Sequence, residues 1–192
     1  MKIFEVIDNR LDSSDEAPFV NDEDNRRFSP AIREKILDAW HTVVSYVQGG
    51  GGNMPQLDAA VRILITSFGD RVSYAGDMYR AFGLTAKDLT VPDIRLMSSK
   101  LHSWATEFDR QTVSWSTNPN IPVTHLMGQP TMILHQSSSG LDISKLNIED
   151  FSEGEVLSPF SNNVSIYGFA ADEKFFPVAN FKEFVKYTRS ME

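Results

Sequence analysis

The chain contains no cysteine. Disulfides, thiolate nucleophiles and thiolate metal sites are excluded, and the absence fits a reducing compartment. No apolar run approaches the ~20 residues that a membrane span requires. Met1-Lys2-Ile3-Phe4 leads into acidic sequence, not into the core of a signal peptide. A soluble cytoplasmic protein with no membrane partner is therefore expected, and the formal sequon Asn163-Val164-Ser165 is expected to carry no glycan. Basic residues are few: 18 Lys and Arg stand against 26 Asp and Glu, for a net charge of −8. That balance disfavours a broad footprint for nucleic acid or anionic membrane and suits a basic protein partner better. The four histidines include no i, i+4 pair, so no zinc-binding helix face is expected and no metal is implied. Only His135, in a strand expected to border a cleft, draws attention.

With 192 residues, 41% of them hydrophobic, the chain can bury one core without metal or disulfide help. Residues 2–7 alternate as a strand does, and 8–27 read as a polar, acid-rich loop. Ser29-Pro30 supplies a cap and a proline for the first turn of a helix, after which Ile32, Ile36, Trp40, Val43, Val44 and Val47 recur at helical spacing up to residue 48. The four glycines at 49–52 end it, since each costs about 1 kcal/mol relative to alanine in a helix. They lack the Gly-Lys-Ser/Thr ending of a phosphate loop and read as a connector. Asn53-Met54-Pro55 opens a second helix to about residue 68, antiparallel to the first.

From residue 71 onward the period changes. Residues 72–84 read as extended, and 91–108 as a helix presenting Ile94, Met97, Leu101 and Trp104 on one face. Short strands are expected at 112–117, 131–136, 155–160 and 164–170, with a Ser-rich turn at 137–140 and short helices at 122–127 and 180–187. Helices first and strands later describe one α+β domain over 1–192, mainly helical to residue 70 and mainly β from 71.

Three motifs carry chemistry. Tyr79-Arg80 should project from a strand, and Arg80 alone reads as a surface arginine. Ser114-Trp115-Ser116-Thr117 is a Ser/Thr-rich strand, weak evidence by itself. Glu153-Gly154-Glu155 then puts two carboxylates on one strand face, an arrangement more readily tolerated when a cation lies between them. Read alone, it is equally an acidic loop entering a strand.

Taken in order, aromatic-Arg, Ser-rich strand and Glu-x-Glu followed by Val156-Leu157 resemble the arginine-specific (R-S-E) branch of the ADP-ribosyltransferases, of phage or toxin type. Leu141-Asp142-Ile143-Ser144 is similar to the segment that precedes Glu-x-Glu in that family. The resemblance covers about residues 73–170; the N-terminal helices match only in kind. It implies a split β-sheet core, NAD as co-substrate without a metal, and an acceptor arginine on a target protein in the cytosol of a bacterium or host.

By the same resemblance, Arg80 binds NAD phosphates and ribose, together with Ala81, Ser114 and Thr117. Ala81 stands where the family commonly has Gly, and Asn118 where a second Ser is common. Ser116 supports the catalytic glutamate, although a one-residue shift would give that role to Ser114. Glu155 is that glutamate, its charge stabilising the oxocarbenium-like ribose as nicotinamide leaves. Glu153 orients the incoming guanidinium and accepts its proton. Phe151 is a candidate contact to the target protein and equally a buried loop aromatic. A nucleic-acid acceptor is disfavoured by the acidic balance. NAD hydrolysis and a non-catalytic interaction domain with a degenerate cleft remain as alternatives.

Overall fold

A computed structural model describes residues 17, 19–49, 53–90, 92–108, 110–120, 129–148, 154–161 and 163–191. The strand expected at 2–7 and the helix expected at 122–127 lie outside them. Helix α1 spans Asp22–Arg27, α2 Pro30–Val47, α3 Met54–Phe68, α4 Ile94–Glu107 and α5 Phe181–Arg189. Strands are β1 Ser73–Gly83, β2 Thr112–Ser116, β3 Thr131–Asp142, β4 Glu155–Pro159, β5 Ser165–Ala171 and β6 Lys174–Pro177.

Helices α2 and α3 form where hydrophobic period and N-terminal prolines agree, and they pack on each other through Ile36, Val43, Leu57, Val61 and Leu64. The loop expected over 8–27 is corrected at its end, where α1 forms. Its signal is local: Asn21 and Asp24 exchange backbone-to-side-chain hydrogen bonds as a capping box, with acids in the first turn and Arg26 and Arg27 in the last. Asp24 is buried and paired with Arg71 at 2.7 Å, which ties this polar turn to the body of the protein.

All strand pairs are antiparallel. β1 runs along β3 for its whole length, β3 meets β4 at Leu141 and Asp142, β4 pairs β2, and β2 touches β1 at one position. These four strands thus close a small barrel-like ring, and β5 and β6 extend it from the other edge of β3. Closure brings backbones very close at Gly140, where a Cβ would meet the Leu157 carbonyl, Val156 and Ser158. The Ser-rich turn expected at 137–140 is therefore corrected to strand: Ser137, Ser138 and Ser139 continue the ladder opposite Asp77, Gly76 and Ala75. β6 was not foreseen.

Where β4 and β5 part along β3, the buried Gln136 fills the gap. Its amide donates to the Pro159 carbonyl and Ser158 Oγ and accepts from the Ser161 N–H, so a side chain satisfies groups that a neighbouring strand would otherwise pair. One core gathers Trp115, Phe160, Phe169 and Phe184 with α4 and α5; a second gathers α2, α3, Leu141, Ile143 and Leu157.

Candidate functional site

Arg80 lies in the middle of β1, between Met78 and Phe82 on the same side of the strand. Its Nη1 donates to the Ser114 carbonyl, its guanidinium carbon lies 5.4 Å from the centre of the Phe82 ring, and its Nε is buried with no hydrogen-bond partner. Burial lowers the Arg80 pKa from its ordinary value, while Tyr46, once ionised, and the Glu155 carboxylate act in the opposite direction. The electrostatic partnership with Glu155 joins residues 75 positions apart in sequence.

Strand register brings Glu155 alongside Tyr79, the chain neighbour of Arg80, while Arg80 itself starts from the opposite strand face and reaches β2 through its contact with the Ser114 carbonyl. Tyr79 is the partner of Ser116, and Ser116 is the partner of Glu155. On the other side of Tyr79 stands His135, and beyond it Ser165. One row therefore crosses five strands: Ser165, His135, Tyr79, Ser116, Glu155. Directly opposed residues of antiparallel strands put their side chains on one face. Ser116 is buried, and its Oγ accepts from the Asn118 N–H at 3.0 Å, a local turn that ends β2. Thr117 N–H donates to the Gly154 carbonyl at 2.9 Å. Gly154 has φ +67°, and a side chain there would collide with Thr117 Oγ1, so glycine is what lets the chain turn into β4 just ahead of Glu155.

The structure thus brings Arg80, Ser114, Ser116, Thr117 and Glu155 to one junction of β1, β2 and β4. Ala81 is an ordinary ladder residue opposite Ile133, so the alanine there needs no glycine torsion. Glu153 and Phe151 lie outside the described residues, as does His125.

Sequence reasoning missed Tyr46, which stands near Arg80 from the last turn of α2; a tyrosine in an amphipathic helix gives no signal of a distant strand. It also missed the rings around His135. Tyr79 and His135 centroids are 5.3 Å apart, Tyr79 and Tyr167 4.9 Å, and Tyr167 and Phe175 5.4 Å. His135 Nε2 lies 3.0 Å from Asp77 Oδ1, and that hydrogen bond holds the Asp77 carboxyl below its usual value.

Among the described residues no group of three or more His, Asp or Glu is arranged to hold a metal ion, and no helix is long and apolar enough to cross a membrane. A cavity of about 240 Å³ lies between α1 and α2, lined by Phe28, Arg33, Glu34 and Leu37 and by nothing from β1, β2 or β4. Comparison with protein-family models, with curated proteins and with solved structures finds no match.

Proposed function

We propose that this chain is a mono-ADP-ribosyltransferase that takes ADP-ribose from NAD and passes it to an arginine of a target protein, on a split β core of the ADP-ribosyltransferase kind. The observation that carries the reading is the meeting of Arg80, Ser116 and Glu155 at the one junction of β1, β2 and β4, in the order and strand positions that the sequence resemblance calls for.

The residues suit NAD. Arg80 is a fixed cation with a buried, partnerless N–H, a donor that a diphosphate oxygen satisfies. Ser114, Thr117 and the Ala81 backbone would hold the remainder. Positive charge develops on the ribose as nicotinamide leaves, and Glu155, half-buried at the start of β4, is the anion that would stabilise it. Glu153 would accept the proton that the acceptor guanidinium must lose before it can bond to the sugar.

The test uses NAD labelled in its adenylate half, with transfer and nicotinamide release measured on one preparation. Glu155→Gln should lose both activities by at least ~10²-fold, because the sugar step is common to both. Glu153→Gln should lose transfer and keep a slow release, since water needs no guanidinium base. Near-parental release by Glu155→Gln would overturn the assignment. A second reading, a non-catalytic domain, draws on the contacts of Arg80 with Ser114 and Phe82, which occupy part of the guanidinium internally. A parent protein that neither binds NAD nor releases nicotinamide would establish that reading.

A further inference from the structure

The sheet face that carries Tyr79 and His135, both half-buried, bears a continuous set of rings that ends in exposed ones. Tyr167 and Phe175 are each 40% exposed, unusual for large apolar side chains that lie side by side. They follow from local structure. Between Ile133 and Leu134 the pairing of β3 with β5 shifts register, and Tyr167 is the residue left over: Gly168 pairs Ile133 and Ile166 pairs Leu134. That irregularity brings the Tyr167 ring beside Tyr79. Gly168 leaves room for Phe175 to lie flat across it, since a Cβ there would strike the Phe175 ring.

The electrostatics of the face are one-sided. Asp77, its side chain 62% exposed, stands at the edge beside His135, and the exposed Glu173 lies in the turn that leads to Phe175, whereas Asp172 faces the other side and accepts from the Tyr187 hydroxyl at 3.4 Å. No lysine or arginine occupies a described position of this face on β1, β3, β5 or β6. Lys174, beside Phe175, turns to the opposite side, where its Nζ lies about 5 Å from the centres of the Phe176 and Tyr187 rings. What the surface offers is exposed π density flanked by carboxylate, on a protein of net charge −8. Phosphate-bearing partners are repelled by such a surface, and guanidinium or ammonium groups are attracted to both of its components.

We propose that the rings of Tyr79, His135, Tyr167 and Phe175, with Asp77 at their edge, dock an arginine-bearing cationic segment of a partner protein. The row that holds Tyr79 and His135 continues through the buried Ser116 to the half-buried Glu155, so the rings and Glu155 belong to one face of the sheet. Arginine suits the surface better than lysine, because a planar guanidinium stacks on a ring while donating to a carboxylate. The inference deepens the transferase reading by making this segment part of the acceptor, and it rests on that reading for the partner's fate alone, not for docking.

The probe is a fluorescein-labelled peptide of alternating arginine and glycine, titrated by anisotropy without NAD against the full chain. The parent should bind it and should not bind the same peptide with glutamate in place of arginine. Tyr167→Ser and Asp77→Asn, both exposed positions whose folding is verified by circular dichroism, should each weaken binding by about tenfold. Equal affinity of parent and both variants overturns the proposal, as does equal binding of the glutamate peptide or tighter binding of a short oligothymidylate. Adding NAD then separates the two readings. A peptide that binds through Tyr167 and Asp77 but is never modified leaves docking standing and removes transfer; a peptide modified equally by parent and variants does the reverse.

Discussion

Arg80 is a long cation fixed between two apolar neighbours, with one nitrogen on the Ser114 carbonyl and another buried without a partner. A lysine in its place keeps the charge but offers one head instead of a fork. Arg80→Lys should bind NAD at least about tenfold more weakly by calorimetric titration, the scale of one lost charge-assisted hydrogen bond. Parental affinity and activity in this variant would make Arg80 a structural residue and move the cleft elsewhere. That Arg80, Ser116 and Glu155 fall on adjoining strands could be expected because each stands in a short pattern whose order is read together, not residue by residue. Gln136 was not legible: one amide in the apolar stretch Met132-Ile133-Leu134-His135-Gln136 gives no sign that a gap between two strands awaits it. Tyr167 was equally silent, because its exposure comes from a register shift that alternation alone does not predict.

At the scale of elements, the sequence is read most easily where one periodicity runs long enough to dominate. Helices α2, α3 and α4 repeat an apolar face over three or more turns, and β2, Thr-Val-Ser-Trp-Ser, is rich in residues that fit a pleated surface. Helix α1 was missed because a six-residue polar helix has no apolar period, and only its capping box and the buried Asp24–Arg71 pair hold it. The second half of β3 was missed because consecutive serines read as a turn, whereas here a full-length partner strand imposes the extended form.

A similar short element, the 3-10 turn Ala86–Leu89, depends on Asp88, whose Oδ2 accepts from Thr85 N–H at 2.8 Å and from Lys100 Nζ of α4 at 2.6 Å. Burial raises the pKa of Asp88, but the hydrogen bonds of Lys100 and Thr85 outweigh it and hold the carboxyl below its ordinary value of 3.8. Because the native value is the lower one, the stabilisation is complete above pH 3.8 and is lost as pH falls through the native value. Asp88→Asn should therefore cost on the order of 1 kcal/mol in urea unfolding at neutral pH, and the difference from the parent should shrink at about pH 3. A difference that stays constant with pH would show that the carboxylate charge is not what ties the turn to α4.

For the molecule as a whole, the two cores share a strand. In β4 the adjacent residues Val156 and Leu157 enter different clusters, and Met54 at the start of α3 packs against both. Neither cluster can lose its packing without disturbing the strand that serves the other. Thermal unfolding should accordingly be a single transition, with helix circular dichroism and the fluorescence of the three tryptophans reporting one midpoint. Trp40 packs on the helical cluster and Trp115 lies inside the other, so an earlier helical melt would separate the two signals and disprove the coupling. The ring of strands bears on colloidal behaviour too. Within β1, β2, β3 and β4 each strand has a neighbour on both sides, although β1 and β2 meet at one position only, and at the far end of the sheet among the described residues stands β6, four residues long, opening on a lysine and closing on a proline. The β6 edge, so short, charged at one end and lacking an N–H donor at the other, gives a second copy of the chain little to pair with, and disfavours edge-to-edge stacking at that end of the sheet.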